Sequence, residues 1–104
     1  MNSTDIIRRI KEGITKKDPH AMVFLYGSRA RGDNRIDSDW DVLVLTPQEK
    51  ITFDYELSLR DPILEIELET GNVISLIVYP KSEWKNKKRF SPLFMNINKE
   101  RIQI

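Results

Sequence analysis

The sequence has 104 residues, no cysteine and a single histidine, His20. This length predicts one domain over residues 1–104, and the missing cysteines exclude a disulfide scaffold, a thiol nucleophile and a thiolate metal site. The net charge is +1, yet residues 33–70 carry three basic and eleven acidic residues, which favours a cation-binding site and argues against nucleic acid as a partner.

No apolar run comes near the roughly 20 residues that a membrane-spanning helix requires. The first residues carry charges where a signal peptide would have its apolar stretch. We therefore expect a soluble protein of the cytoplasm that does not associate with membranes.

The first predicted element is a helix over residues 4–17. Its isoleucines recur at helical spacing and form one apolar stripe: Ile6, Ile7, Ile10 and Ile14. Ser3 or Thr4 is predicted to cap its start, and Pro19 ends it.

Two strands follow, joined by a polar loop. The apolar run at residues 21–26 predicts a buried strand, with Tyr26 in the core, that ends at Gly27. Residues 28–32 are expected to form a turn or a short helix. Residues 40–46 predict the second strand, in which Trp40 packs against the core.

The middle of the chain fits two interpretations. Residues 64–69 alternate strictly between apolar and acidic side chains, as a half-buried strand does. The pair Asp61–Pro62, however, is typical of a helix start, and Gly71 is typical of a helix end. We favour a helix within residues 53–70.

The last third of the chain predicts one strand and two helices. Residues 73–79 are apolar and rich in β-branched side chains, which indicates a strand. A helix is expected over residues 83–89, capped by Ser82. A final helix is expected to start at Ser91–Pro92, and one face of it holds Leu93, Phe94 and Ile97.

The pair Gly27–Ser28 directly follows a predicted strand. Glycine allows a sharp turn and a close approach of the backbone to a ligand, and backbone N–H groups that begin a helix attract anions. The Ser28 hydroxyl can donate a hydrogen bond to a phosphate oxygen, and Arg29 and Arg31 add positive charge nearby. Taken alone, the pattern also fits an ordinary turn with surface arginines.

Asp39 and Asp41 lie at the start of the second strand. Residues i and i+2 of a strand point to the same face, so both carboxylates project together. Two such charges about 4 Å apart repel by roughly 4 kcal/mol at an effective dielectric of about 20, so either a cation lies between them or one takes up a proton. Mg²⁺ suits such a pair together with substrate phosphates. Alone, the motif also fits a turn residue followed by an ion-paired aspartate.

Together the two motifs predict one site. A phosphate-binding turn and a pair of metal-binding carboxylates on neighbouring strands are what metal-assisted phosphoryl or nucleotidyl transfer requires. The glycine-rich dinucleotide signature and the Walker A lysine are both absent from the sequence.

The segment GSRARG followed by SDWD resembles the minimal nucleotidyltransferases of the DNA polymerase beta-like superfamily. The resemblance is close over residues 20–46 and looser to the end of the chain. It implies an α/β (α+β) fold with a small mixed sheet flanked by helices, and ATP or another nucleoside triphosphate as substrate. It also implies the following roles: Gly27, Ser28 and Arg31 bind the nucleotide, while the catalytic Asp39 and Asp41 bind Mg²⁺.

The same resemblance implies a partner. Many relatives act beside a small, all-helical protein encoded by an adjacent gene, and some act as antitoxins that attach AMP to that partner. This implication rests on family analogy alone.

The sequence departs from the family pattern at one position. Active relatives carry a third carboxylate on a later strand, and the matching position falls on or near Ser75, with no acidic residue between 70 and 82. If residues 63–69 formed a strand, Glu65 or Glu67 could supply the group. If they form a helix, the third acid is missing and turnover is expected to be slow or absent.

Three hypotheses remain. The first is a Mg²⁺-dependent nucleotidyltransferase that modifies a hydroxyl of a protein or small molecule. The second is a nucleotide-binding or partner-binding module with little catalysis. A distant third is a nucleic-acid-binding domain that uses the basic tail.

Overall fold

The computed structural model describes residues 2–87 and 91–104, and these form five helices and four strands. The helices are α1 (Ser3–Lys17), α2 (Ser28–Arg31), α3 (Phe53–Thr70), α4 (Lys81–Lys87) and α5 (Pro92–Glu100). The strands are β1 (Met22–Tyr26), β2 (Trp40–Thr46), β3 (Ile74–Pro80) and β4 (Ile102–Gln103).

The four strands form one mixed sheet in the order β3-β2-β1-β4. Strand β1 is antiparallel to both of its neighbours, whereas β2 and β3 are parallel. A parallel pair needs a long crossover, and α3 provides it. The sheet confirms the predicted fold class of a small mixed sheet with flanking helices.

Helices cover both faces of the sheet, and each face has its own core. On one face, α1 and α3 bury Ile10, Ile14 and Leu59 against alternate residues of the strands. On the other face, Trp84 of α4 and Ile97 of α5 pack against Phe24, Leu43 and Leu45. Among the described residues, none of the helices combines the length and apolar content that crossing a bilayer requires.

Helix α1 follows its sequence pattern closely. Ile6, Ile10 and Ile14 are buried, as the apolar stripe predicted. The predicted cap at Ser3 or Thr4 is wrong, because the side chain of Asn2 caps the helix and accepts a hydrogen bond from the backbone N–H of Asp5 at 2.9 Å. Asparagine is as good an N-cap as serine, and it lies one residue earlier.

Helix α3 confirms the helical interpretation of residues 53–70 but not its predicted start. Thr52 caps the helix by accepting a hydrogen bond from the backbone N–H of Tyr55, and Pro62 lies inside it rather than in its first turn. A proline inside a helix removes one backbone hydrogen bond. Burial of Leu59 and Ile63 on either side of Pro62 keeps the helix continuous.

The C-terminal third differs from its prediction in small ways. Strand β3 begins and ends one residue later than predicted, and α4 begins before Ser82, which therefore lies inside the helix. The predicted part of α4 at residues 88–89 lies outside the described residues. In α5 the start at Ser91–Pro92 is confirmed, and Ile97 is buried but Leu93 is 61% exposed. Strand β4 was not predicted, since two residues carry no periodicity.

Candidate active site

The two motifs meet at one end of the sheet. In the strand register, Asp41 of β2 lies between Tyr26, the last residue of β1, and Ser75 in β3. Trp40 and Val42, which flank Asp41 in β2, are buried in the core that includes α1 and α3. Because side chains alternate along a strand, Asp41 faces the opposite side, which α5 covers.

Gly27 joins this strand end to α2, and its backbone has φ 71° and ψ −156°. L-residues with a side chain rarely adopt such a positive φ. An added Cβ would also collide with Oδ2 of Asp41. The glycine is therefore required twice, for the turn and for the close approach of the Asp41 carboxylate to the backbone.

A cleft of about 690 Å³ opens at this position. Its volume lies within the range of small-molecule binding sites. Ten residues line it, namely Tyr26, Gly27, Ser28, Arg31, Asp41, Leu93, Asn96, Ile97, Lys99 and Glu100. Four of the five sequence-predicted site residues therefore share one cleft, while the fifth, Asp39, is exposed beside it.

The Asp41 carboxyl has a raised pKa. The largest cause is burial, which disfavours the charged form, followed by the negative charge of Asp39; Glu100 adds a further increase, while Arg31 acts in the opposite direction. The sequence predicted this repulsion between the two aspartates from their spacing. A cation at this position would relieve it.

Tyr26 is a polar residue of the site rather than a purely core residue. Its pKa is raised to about 12 by all causes together: burial is the largest, the charges of Asp41 and Glu100 also raise the pKa, and a hydrogen bond with the Ser75 side chain lowers it. The Tyr26 hydroxyl is therefore neutral at physiological pH and can donate a hydrogen bond into the cleft.

Glu100, at the end of α5, connects the turn to the arginine. Its Oε1 accepts a hydrogen bond from the backbone N–H of Gly27 at 2.9 Å, and its Oε2 accepts one from Nη1 of Arg31 at 3.0 Å. Arg31 also donates to Asp33 at 3.2 Å. Hydrogen bonds to Glu100 and then to Asp33 raise the pKa of Arg31, which keeps a fixed positive charge beside the turn.

Arg29 does not contribute its charge to the cleft as the sequence suggested. Its guanidinium donates to the carbonyl oxygens of Ser38 at 2.9 Å and Ile36 at 3.3 Å, and its Cζ lies 4.3 Å from the ring centroid of Trp40. Arg29 therefore stabilises the loop that leads to Asp39. Trp40 is 2% exposed, which confirms its predicted packing role.

Ser75 occupies the expected position of the third carboxylate, directly beside Asp41 in register. Neither candidate substitute lines the cleft that contains Asp41. Glu65 lines a separate cleft between α1 and α3, and Glu67 accepts a hydrogen bond from the backbone N–H of Ile74 at 3.0 Å. Both belong to the helix on the opposite face of the sheet from Asp41. Within residues 2–87 and 91–104, no three His, Cys, Asp or Glu side chains are grouped to hold a metal ion.

Tyr26 and Glu100 are among the cleft residues that sequence reasoning missed. The position of Tyr26 directly before Gly27 was a usable signal, since the last residue of a strand borders whatever the turn binds. Glu100 gave no such signal. It is 73 residues from Gly27 in sequence, and only the docking of α5 on the sheet brings it to the turn.

Comparisons with known proteins agree with this geometry. A family model described as a nucleotidyltransferase domain matches residues 7–101. A structure described as a minimal nucleotidyltransferase is 24% identical with a TM-score of 0.64, and the match covers all of this chain and 97% of that one. No match was found among curated protein sequences.

Two further structures share the fold. One, described as a nucleotidyltransferase from Sulfolobus solfataricus, is 26% identical with a TM-score of 0.62, covering 95% of this chain and 76% of that one. The other is a toxin–antitoxin crystal structure with AMP-PNP, 17% identical with a TM-score of 0.57, covering 99% of this chain and 72% of that one. The family model spans nearly the whole chain, so this protein belongs to the nucleotidyltransferase domain family and shares the fold of the minimal nucleotidyltransferases.

Proposed function

We propose that the protein transfers a nucleoside monophosphate from ATP or another nucleoside triphosphate to a hydroxyl group of a protein or small molecule. The acceptor oxygen forms a bond to the α-phosphorus, the bond from that phosphorus to the bridging oxygen breaks, and pyrophosphate leaves. The acceptor proton passes to solvent. The observation that carries the proposal is that Gly27, Ser28, Arg31 and Asp41 line one cleft.

In this proposal the turn and the arginine bind the triphosphate. The Ser28 hydroxyl and the backbone of the Gly27–Ser28 turn face the phosphate oxygens, and the guanidinium of Arg31 binds them as a charged donor. The neutral Tyr26 hydroxyl adds a donor at the floor of the cleft. These groups orient the α-phosphorus toward the open side, where the acceptor enters.

Asp39 and Asp41 would hold Mg²⁺. The residues fit such an ion, because they are hard oxygen donors and because burial, followed by the charge of Asp39, raises the pKa of Asp41. When bound, the ion supplies positive charge that neutralises the phosphate oxygens and the leaving pyrophosphate. Two carboxylates plus substrate phosphates suffice to bind it, whereas a third carboxylate would hold it more rigidly.

We also propose a protein partner for the chain. Toxin–antitoxin complexes among its structural neighbours support this idea. A small helical protein that receives AMP on a hydroxyl would place the chain as the antitoxin-like half of a two-gene pair. The cytoplasm is the compartment where such a pair would act.

A second candidate function is nucleotide or partner binding with little turnover. The observation that favours it is Ser75, whose hydroxyl lies beside Asp41 where a third carboxylate is expected. A serine hydroxyl is neither a charged metal ligand nor an effective general base.

Incubation with α-labelled ATP, Mg²⁺ and candidate acceptors tests the two functions. We expect label transfer and pyrophosphate release that the Asp39→Ala/Asp41→Ala variant loses. Asp37→Ala is the matched control, because Asp37 is an exposed acid of the same loop, and it should keep full activity. Nucleotide binding without transfer would favour the second candidate, and the absence of both binding and transfer would refute the proposal.

A further inference from the structure

Arg101 directly follows α5 and has no acidic partner within the part of the chain that the structure describes. Its guanidinium lies over the ring of Phe24, with Cζ 4.1 Å from the ring centroid, and its Nη1 is buried without a hydrogen-bond partner. Burial lowers the pKa of Arg101, because it disfavours the charged form. A buried polar group without a partner is rare in a folded protein and indicates that an ion or a water binds there.

The ring contact alone does not account for this side chain, as a second arginine shows. Arg29 stacks in the same way, 4.3 Å from the ring centroid of Trp40. It also donates hydrogen bonds to the carbonyl oxygens of Ser38 and Ile36. The side chain of Arg101 makes no such hydrogen bond to any described residue. Its donors therefore remain available to a ligand.

Arg101 borders a small pocket of about 100 Å³ that contains two more cations. The pocket is lined by Met22, Leu45, Lys81, Trp84, Lys85 and Arg101. Lys81 and Lys85 are four residues apart in α4, so they lie on the same side of the helix. Neither lysine forms an ion pair with a described residue. The described lining thus combines three positive charges with apolar side chains, which fits an anion.

The carboxylate of Glu49 does not neutralise this pocket. Glu49 lines a neighbouring cleft together with Lys81 and Lys85, but it does not line the pocket of Arg101. It is exposed, and it forms no ion pair with either lysine. One carboxylate against three cations also leaves two positive charges uncompensated. Like charges around one pocket repel, and an anion between them relieves the repulsion.

The size and charge of the pocket select a phosphate group. A water molecule takes up about 30 Å³ of liquid volume, so the pocket has room for a group of a few heavy atoms and not for a nucleoside. A guanidinium binds two phosphate oxygens at once, and lysine ammonium groups add point charges. A carboxylate has two oxygens and a single charge, so it matches three cations less well.

We propose that Lys81, Lys85 and Arg101 bind one phosphate group. The ligand is either inorganic phosphate or a small phosphomonoester whose remaining atoms stay in solvent. Met22 at this pocket and Tyr26 at the candidate active site lie at opposite ends of β1, about 13 Å apart at about 3.3 Å per residue. The site is therefore separate from the cleft, and the proposal does not depend on nucleotide transfer.

Isothermal titration calorimetry of the intact chain with inorganic phosphate, glycerol 3-phosphate and acetate tests the site. We expect phosphate to bind about tenfold more tightly than acetate or better, with an affinity that falls as the NaCl concentration rises. Binding of glycerol 3-phosphate as well identifies a phosphomonoester site, whereas binding of inorganic phosphate alone identifies the free ion, and both results support the proposal. No phosphate binding, or equally tight binding of acetate, would overturn it.

Two variants locate the bound anion. Arg101→Gln and Lys81→Gln/Lys85→Gln should each weaken phosphate binding by about tenfold or more, because each removes charged donors. The matched control is Lys11→Gln, at an exposed lysine of α1, which should leave the affinity unchanged. Circular dichroism checks the fold, and the double lysine variant changes only exposed positions, so it decides the question even if Arg101→Gln does not fold. Equal weakening by Lys11→Gln would reveal a general charge effect and contradict the proposal.

The candidate active site also offers donors to a phosphate, so a further variant separates the two sites. Arg31→Gln removes a positive charge from the cleft and should leave intact the binding that Arg101→Gln weakens. Phosphate binding that is lost in Arg31→Gln but unchanged in Arg101→Gln and in Lys81→Gln/Lys85→Gln would place the anion in the cleft. That result would refute the separate site.

Discussion

Asp41 is held in an environment that disfavours its own charge. Burial and the negative charges of Asp39 and Glu100 all raise its pKa. A carboxyl whose pKa is raised on folding destabilises the fold above that pKa, and the penalty disappears as the pH falls below the ordinary value of about 3.9. A cation bound at the two aspartates, as proposed above, would restore the stability that Asp41 removes at neutral pH.

Asp39→Asn is therefore expected to stabilise the metal-free protein slightly at pH 7. It removes one cause of the raised pKa of Asp41, and the gain is less than about 1 kcal/mol because both groups are partly solvated. The same variant should lose most of the increase in Tm that Mg²⁺ produces in the wild type. Thermal melts at pH 7 and pH 5, with and without Mg²⁺, measure both effects.

The matched control for that experiment is Asp37→Asn, which should change neither quantity. In the wild type, the increase in Tm caused by Mg²⁺ should shrink as the pH falls toward the raised pKa of Asp41, since protons and the cation compete for the carboxylate. A Mg²⁺ effect that Asp39→Asn leaves intact would show that the cation binds elsewhere.

Glu100→Gln is expected to tighten nucleotide binding several-fold. The carboxylate of Glu100 adds negative charge to the cleft and occupies Arg31 at 3.0 Å. Glutamine keeps an acceptor for the backbone N–H of Gly27 but removes the charge that repels a triphosphate. Titration with a fluorescent ATP analogue measures the change, and unchanged or weaker binding would mean that Glu100 mainly supports the turn.

At this scale the sequence predicted which side chains share the cleft better than it predicted their contacts. The grouping of Gly27, Ser28, Arg31 and Asp41 follows from two short motifs on adjacent strands, because strand periodicity and a glycine turn fix local directions. The hydrogen bonds of Glu100 with Gly27 and Arg31, and that of Arg29 with Ser38, depend on tertiary packing. Local sequence patterns do not predict such contacts.

At the scale of elements, α1 and α3 pack unusually closely at one point. A Cβ added at Gly13 would lie 2.8 Å from Cβ of Pro62. The absence of a side chain at Gly13 therefore leaves room for the proline ring of α3. The proline that misled the prediction of the start of α3 thus has a packing role. Sequence periodicity identified both helices, but it could not report that their contact requires a glycine.

Gly13→Ala is expected to destabilise the protein by about 1–3 kcal/mol, although alanine favours helices by up to about 1 kcal/mol over glycine. The added methyl group forces α1 away from Pro62 and disturbs the core beneath it. Urea denaturation measures the change. Glu12→Ala, at a neighbouring exposed position, is the control and should stay within about 0.5 kcal/mol of the wild type; a stabilised Gly13→Ala would show that the helices separate freely.

At the scale of the whole molecule, a polar cluster ties three elements together at the end of the sheet opposite the cleft. Asp18, after α1, accepts hydrogen bonds from the hydroxyls of Tyr55 in α3 at 2.7 Å and Thr46 in β2 at 3.2 Å, and from the backbone N–H of His20 at 3.1 Å. Burial acts to raise the pKa of Asp18, but these hydrogen bonds outweigh it, so the pKa is lowered.

Asp18→Asn is expected to cost about 1–3 kcal/mol of unfolding free energy at pH 7, because it removes the charged acceptor from a buried cluster. A lowered pKa contributes stability above the ordinary value of about 3.9, and this contribution is lost as the pH falls through the folded-state pKa. The difference between variant and wild type should therefore shrink below about pH 3.9. Denaturation at several pH values tests this, and a difference independent of pH would exclude the charge as its cause.

The distribution of sequence separations has a consequence for how the molecule assembles. The pairing of Tyr26 with Asp41 closes a segment of 15 residues, whereas the bond from Gly27 to Glu100 spans 73. The entropy of closing a chain segment grows with the logarithm of its length, which makes the longer closure costlier by about 1.4 kcal/mol. Closing the turn against the aspartates therefore costs the chain less entropy than bringing Glu100 to Arg31. The carboxylate that neutralises Arg31 comes from the C-terminal segment, so a change that undocks this segment would leave the turn formed and its arginine free of Glu100.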